Sequence, residues 1–188
     1  MDEFNYLSVL LSIILGLAIA EILTGFRGLL QARGRVRLYW PSLLWSFILL
    51  AIYAQTWWAM FGLRTHHAWT FAGFAIVLVH LILLYMLASL VLPPLEEGAA
   101  VIDLRANYFA QRRWFCALLL FTVGVSLAKD LVIDGAFTDR TNLAFHLLFA
   151  ALGLFGWISR REWYHKALAV MVAALFALYT GLLFAQLR

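Results

Sequence analysis

Six polar side chains lie inside long apolar runs of this sequence, and their chemistry most needs an explanation: Glu21, Gln55, His80, Lys129, Asp130 and His146. An ionised side chain at the centre of a bilayer costs roughly 2.5–3.5 kcal/mol on insertion scales. Such residues therefore usually line a polar interior, a proton path or a solute site. We take these six residues as the candidates for a buried binding or transport site.

Glu21 is the only acidic residue of the first apolar run, about 22 Å from Tyr6 along a helix. It could carry a proton or a cation, and the sequence equally allows a structural role. In that role the side chain extends toward the membrane surface and pairs with Arg33, Arg112 or Arg113.

His80 and His146 belong to two different apolar runs. His80 lies near the middle of its run, about 16 Å from Trp69 along a helix, whereas His146 lies about 9 Å from Arg140. Both a neutral, hydrogen-bonded imidazole and a proton relay are consistent with these positions. Two histidines on different helices also raise the alternative of haem ligation, although no cofactor is predicted.

Gln55 and Lys129 are each expected to interact with nearby polar residues. Gln55 could join His80 in an interior polar patch, with simple interhelical hydrogen bonding as the alternative. Lys129 is expected to extend outward and to meet Asp134 or Asp139.

The elements that hold these residues must be membrane-spanning helices. Hydrophobic residues make up 65% of the 188 residues and charged ones 13%, against about 45–50% and 25% in soluble domains. A helix needs about 20 residues to cross the hydrocarbon core. Six continuous apolar spans result: Tyr6–Phe26, Leu38–Phe61, Trp69–Leu92, Trp114–Ile133, Asn142–Ile158 and Trp163–Leu187.

The charge distribution predicts how this single all-α domain, residues 1–188, is oriented. Ten of the 14 Lys and Arg residues fall in or beside the first, third and fifth loops, which the positive-inside rule places in the cytoplasm. Both termini are then extracytoplasmic. The very short loops indicate a bacterial-type inner membrane, and the acidic Asp2 and Glu3 argue against a cleaved signal peptide.

The third loop, residues 95–113, is the only sizeable segment outside the predicted spans. Val101, Leu104 and Tyr108 share one helical face, so we expect a short amphipathic helix over residues 99–113 on the cytoplasmic side. Such a helix lies in the membrane interface or docks a partner. The positive charge is divided among short loops, so no basic face is long enough to follow nucleic-acid phosphates.

Small residues recur at every fourth position of two spans. They are Ser12, Gly16 and Ala20 in the first span and Ala173, Ala177 and Gly181 in the sixth. Small side chains let helix backbones approach closely in a membrane. The stripes therefore predict close helix packing, either within one bundle or in a homo-oligomer.

The two halves of the chain also resemble each other weakly. Residues 16–21 parallel residues 124–129, and Trp69 and Trp163 each precede a tyrosine by sixteen residues. Three spans in each half would make such a repeat inverted, as in many transporters.

Three functions remain open from the sequence. The buried polar residues and the repeat favour a small transporter or channel for an ion or solute. The small-residue stripes favour a non-enzymatic accessory or scaffold subunit of a membrane complex. A haem- or quinone-binding redox subunit would use His80 and His146. The sequence contains no G-x-S-x-G, H-E-x-x-H or P-loop motif and a single cysteine, so it assigns no catalytic or metal-binding residue.

Overall fold

A computed structural model describes residues 3–65, 69–94, 101–133, 135–136 and 139–183 of the chain. Within them lie six long α-helices: α1 (Glu3–Gln31), α2 (Trp40–Met60), α3 (Phe71–Val91), α4 (Leu104–Ile133), α5 (Arg140–Ile158) and α6 (Glu162–Leu183). All six are long and apolar enough to cross a membrane. The prediction of an all-α chain with six such helices is confirmed to this extent, and the inverted repeat stays a prediction.

Two of the helices are much longer than the predicted spans, and both extend past their apolar runs at the same end of the bundle. α1 continues to Gln31, and α4 begins at Leu104 instead of Trp114. Polar side chains such as Gln111 continue a helix as readily as most apolar ones do. The hydrocarbon thickness therefore sets only the minimum length of these two helices.

The residues predicted to form a short helix over 99–113 are helical from Leu104 onward, but this part is continuous with α4 and is not a separate helix. Residues 95–100 lie outside the described residues, residues 102 and 103 form a short strand, and residues 104–113 are the first turns of α4. Asp103 caps α4, because its Oδ1 accepts a hydrogen bond from the N–H of Ala106 at 2.9 Å. The amphipathic pattern is real, but Leu104 is fully buried, so the apolar face packs onto the bundle.

Two short strands join the loops at this end of the bundle. β1 (Val36–Arg37) pairs in parallel with β2 (Ile102–Asp103). The side chains of Arg37 and Asp103 add an ion pair at 4.0 Å. The strand pair fixes the loop before α2 to the start of α4. We call this end of the bundle the arginine-rich end and the other the opposite end.

The helices pack as a closed circuit. α3 lies between α1 and α4, α5 packs on α4, and α6 packs on α5. α2 completes the circuit by packing against α6, α1 and α3. Its Trp45 and Tyr53 are buried, and the Tyr53 hydroxyl donates to the carbonyl of Leu84 at 2.9 Å. Such a bond matters in a membrane interior, where an unpaired hydroxyl finds no water.

Candidate functional site

A charged cavity of about 320 Å³ lies among α2, α3, α4, α5 and α6 at the opposite end of the bundle. Its polar lining consists of Gln55, Thr56, His80, Ser126, Lys129, Asp130, Asn142, His146 and Tyr179. Five of the six polar residues selected from the sequence therefore meet in one place, and Glu21 is the exception.

Helical spacing explains much of this convergence. Ser126 and Asp130 are four residues apart in α4, and Asn142 and His146 are four residues apart in α5. Residues at this spacing lie on one face of a helix. Because α4 ends and α5 begins at the opposite end, the last turns of one helix lie beside the first turns of the other. Both polar faces then point into the same space.

Asn142 links three helices through its side-chain amide. Its Nδ2 donates to Oδ2 of Asp130 at 3.0 Å, and its Oδ1 accepts from the Tyr179 hydroxyl at 3.0 Å. A carboxylate oxygen can only accept a hydrogen bond, so the partners determine which end of the amide is the nitrogen. The amide therefore orients the Asp130 carboxylate at the rim of the cavity.

His146 is 8% exposed, and both of its ring nitrogens are engaged. Nδ1 lies 2.8 Å from the carbonyl oxygen of Asn142, and Nε2 lies 2.9 Å from Oγ of Ser126. Because a carbonyl only accepts, the neutral ring carries its proton on Nδ1, and Nε2 accepts from the Ser126 hydroxyl. A proton that reaches Nε2 would reverse this bond, so that Nε2 donates to Oγ of Ser126.

His80 lies where the charged cavity meets a second, deep cavity of about 110 Å³. The deep cavity continues between apolar side chains such as Leu119, Phe149 and Phe176. Nδ1 of His80 is buried and has no hydrogen-bond partner in the described part of the chain. A buried nitrogen left unpaired costs roughly 1–3 kcal/mol, so it favours any water or solute group that enters.

Trp45, near the start of α2, lines the part of the deep cavity nearest the arginine-rich end. Its indole packs edge-on against the ring of Phe115, with the centroids 5.1 Å apart. On its far side lies a third cavity of about 10 Å³, which we call the arginine cavity because Arg112 lines it together with Tyr108 and Gln111. Trp45 lines both spaces.

A second histidine network, which the sequence-based reasoning missed, lies at the arginine-rich end. His165 is fully buried, and its Nε2 donates to the carbonyl of Ser159 at 3.0 Å. Its Nδ1 therefore accepts from the Tyr108 hydroxyl at 3.1 Å. Tyr39 packs on the Tyr108 ring, and burial raises the pKa of Tyr39 to about 12. This tyrosine is neutral at neutral pH and cannot act as a base there.

Lys129 lies in the lining of the charged cavity, next to Asp130. Of its two predicted partners, Asp134 lies outside the described residues. Asp139 instead caps α5, where its Oδ1 accepts from the N–H of Thr141 at 2.7 Å. The cavity rim therefore carries a cation and an anion from adjacent positions of α4.

Glu21 faces away from the cavity and is exposed on the outer surface of α1. The predicted ion pair with Arg33, Arg112 or Arg113 does not form among the described residues. Arg112 instead donates from Nη1 to the carbonyl of Ser159. Glu21 and His80 consequently do not belong to one site within this chain.

The small-residue stripes lie largely on the surface. On α1, Ser12 is half-buried, Gly16 and Ala20 are exposed, and a side chain at Gly16 would meet nothing within 4 Å. The stripe residues of α6 line an open groove beside α2: Ala173, Ala177 and Gly181. Close packing of the α1 stripe inside the bundle therefore does not occur at Gly16, and the homo-oligomer stays a prediction.

The haem alternative requires a rearrangement. His80 and His146 line the same two cavities, so they are close enough in depth to act together. However, His146 engages Ser126 and the Asn142 carbonyl, and iron ligation would break one of these bonds. The redox hypothesis gains no specific observation and stays a hypothesis.

Comparisons with known proteins add no identification. No family model, curated protein or solved structure matches the chain.

Proposed function

We propose that this protein is a small transporter or channel for an ion or small polar solute, and that the charged and deep cavities form its solute site. The observation that carries the proposal is the unpaired Nδ1 of His80 where the two cavities meet. In a bundle built for stability alone, a buried nitrogen at this depth is expected to have a protein partner. The unpaired Nδ1 of His80 can instead form a hydrogen bond with a water or solute molecule that enters the cavity.

The charges at the rim favour a polar ligand. Lys129 and Asp130 offer one charge of each sign, and Asn142 orients the carboxylate. A polar or charged group of a solute can therefore be stabilised before it leaves water completely. The deep cavity has a volume of about 110 Å³, so only a few non-hydrogen atoms of a solute fit into it.

The proposal includes the predicted membrane and orientation. With the arginine-rich end in the cytoplasm of a bacterial-type cell, the charged cavity lies on the extracytoplasmic side. Trp45 then closes the route to the cytoplasm, and transport requires its indole to move, as in alternating access.

We expect proteoliposomes to admit at least one small solute faster than protein-free liposomes. Stopped-flow light scattering can follow glycerol, urea, acetate and ammonium, and an entrapped dye can follow protons. For the solute that enters, His80→Leu is expected to lower the rate about tenfold, the equivalent of one hydrogen bond of about 1.4 kcal/mol. Val79→Leu, on the exposed side of α3, is the matched control. If every solute in the panel entered proteoliposomes no faster than protein-free liposomes, the proposal would be contradicted.

Chemical modification of a cysteine in the cavity distinguishes a residue that lines the solute path from one that is needed only for folding. Cys116 is the one cysteine and is buried, so Ser126→Cys in a Cys116→Ala background places a single thiol in the shared cavity lining. A methanethiosulfonate reagent, added after folding, is expected to stop the flux. The same reagent should leave a Phe121→Cys control active, since Phe121 is 67% exposed. Full labelling of the cavity thiol with undiminished flux would count against the proposal.

A second function, that of a non-enzymatic accessory subunit, is favoured by the position of Glu21. This carboxylate lies well inside the apolar run of α1 and yet faces outward, beside the exposed Ala20. A carboxylate exposed to lipid is costly unless another helix covers it. The small residues of this face leave room for such a helix.

We expect Gly16→Cys, in the Cys116→Ala background, to crosslink to one defined species in cell membranes. Adding Glu21→Leu should reduce the crosslinked fraction several-fold, because the carboxylate no longer selects the partner. Leu147→Cys, on the exposed side of α5, is the control and should remain uncrosslinked. A uniform monomer in both cysteine variants would remove the support for an accessory role.

A further inference from the structure

Two exposed arginines lie near each other at the arginine-rich end, where α4 meets the turn between α5 and α6. Arg112 of α4 donates from Nη1 to the carbonyl of Ser159, which follows the last residue of α5. Arg113 and Arg160 come directly after the two residues of this contact, and both act electrostatically on the Arg112 guanidinium. Arg113 and Arg160 are exposed, whereas Arg112 is buried and joins the two segments. We call Arg113 and Arg160 the arginine pair.

The arginine pair has no carboxylate partner among the described residues, because the acidic side chains beside it are engaged elsewhere. Asp103 pairs with Arg37 at 4.0 Å. Glu162 pairs with Arg105 at 2.7 Å and with Lys166 at 2.9 Å. The arginine pair therefore presents two positive charges that an anion from outside the chain can neutralise.

Exposed apolar side chains continue from the arginine pair toward the membrane interior. Trp114 directly follows Arg113, and Phe121 lies seven residues further along the same face of α4; both are exposed. On α5, Leu154 and Trp157 are exposed as well. Tryptophan is typical of the level of the lipid headgroups. The arginine pair consequently lies at headgroup level, beside helix surfaces that are suited to acyl chains.

We propose that the arginine pair binds the phosphate of an anionic phospholipid, whose chains lie along the exposed apolar surfaces of α4 and α5. Guanidinium N–H groups match the geometry of phosphate oxygens and form strong hydrogen bonds with them. A zwitterionic lipid brings its own cation, which weakens the attraction, so the site favours a lipid with net negative charge. Basic clusters at the cytoplasmic ends of membrane helices bind anionic lipids in this way.

The chemistry of the surroundings favours a lipid over a soluble phosphate ester. Both would gain the charged hydrogen bonds, but only the lipid also covers the apolar side chains next to the arginine pair. In the predicted orientation the site faces the cytoplasmic leaflet. The inference does not depend on transport, because the charged cavity lies at the opposite end of the bundle.

The test is a lipid titration of the detergent-solubilised protein, in which native mass spectrometry counts the bound lipids. Phosphatidylglycerol is compared with phosphatidylcholine that carries the same chains. We expect the first phosphatidylglycerol to bind about 30-fold more tightly, the combined effect of two arginines near a membrane surface. The double variant Arg113→Gln, Arg160→Gln should bind both lipids with similar affinity. Equal affinities in the unaltered chain would overturn the proposal.

A second double variant tests whether the position of the charges matters. Arg27→Gln with Arg33→Gln removes the same charge from exposed residues at the same end, in and just after α1, and should keep most of the lipid preference. An equal loss in the two double variants would show that diffuse charge attracts the lipid, and it would overturn the site. Circular dichroism checks that each variant is folded.

A competitor without chains tests the source of the phosphate. sn-Glycerol 3-phosphate carries the charged group alone, so we expect it to leave phosphatidylglycerol bound even when it is in excess. Displacement at equal concentration would assign the arginine pair to a soluble phosphate ester and overturn the lipid assignment. None of these measurements uses a flux, so this proposal and the transport proposal can fail separately.

Discussion

Replacement of Asn142 by leucine is expected to destabilise the bundle by about 2–4 kcal/mol and to disable the charged cavity. The change removes the donor to Asp130 and the acceptor for the Tyr179 hydroxyl, both bonded at 3.0 Å. Leaving a buried polar partner behind costs roughly 1–3 kcal/mol, and more when the partner is charged. Titration with sodium dodecyl sulfate in mixed micelles, followed by circular dichroism, measures the free energy of unfolding.

Two further variants show whether the amide itself is responsible. Tyr179→Phe removes only the hydroxyl and should cost about 1 kcal/mol. Thr141→Leu changes the exposed residue next to Asn142 and should stay within about 0.5 kcal/mol of the original chain. If Asn142→Leu and Thr141→Leu unfold at the same detergent fraction, the amide link between the helices is not important for stability.

A valine at Gly156 is expected to be nearly as damaging, for steric reasons. A Cβ atom at this position would lie 2.9 Å from Cδ2 of Leu168 and 3.3 Å from Sγ of Cys116. Both neighbours are buried, so a larger side chain in α5 forces Leu168 out of its present rotamer or moves the helices apart. Overpacking of this kind typically costs 1–3 kcal/mol, and we expect about 2–3 kcal/mol in the same detergent titration.

The matched control is Gly124→Val, because a side chain at Gly124 meets nothing within 4 Å. Leu168→Ala should partly relieve the clash, so the double variant is expected to be more stable than the sum of the two single losses predicts. Strictly additive losses would place the strain somewhere other than the contact between Gly156 and Leu168.

The helices were predictable because the bilayer imposes a length that every spanning segment must reach. The ends of α3 (Phe71–Val91) differ by at most two residues from those of the predicted span Trp69–Leu92. The same reasoning did not show that the helix predicted over residues 99–113 is continuous with the fourth span, since hydropathy marks only the part of a helix that lies in the hydrocarbon. It also missed β1 and β2, whose two-residue strands are too short to show a pattern of alternation.

The candidate site was predictable in its membership more than in its geometry. The cost of a polar group in an apolar run selected His80 and His146, which line the same two cavities. A sequence gives the depth of a residue along its helix, however, and not the neighbour that the residue faces. Asn142 looked like an ordinary first residue of a span, and its four-residue spacing from His146 was the available signal. Glu21 meets the same cost criterion and still faces outward, because cost alone does not distinguish an inner face from an outer one.

The pairing of β1 with β2 sets an order of events during biosynthesis. β1 leaves the ribosome before α2, whereas its partner Ile102 follows only after α3 is complete. The backbone groups of Val36 therefore remain unpaired until α3 has brought the chain back to the arginine-rich end. A nascent chain that stops before residue 101 keeps an open strand edge, which other chains and proteases can bind. The strand pair can therefore form only after the first three helices have been synthesised.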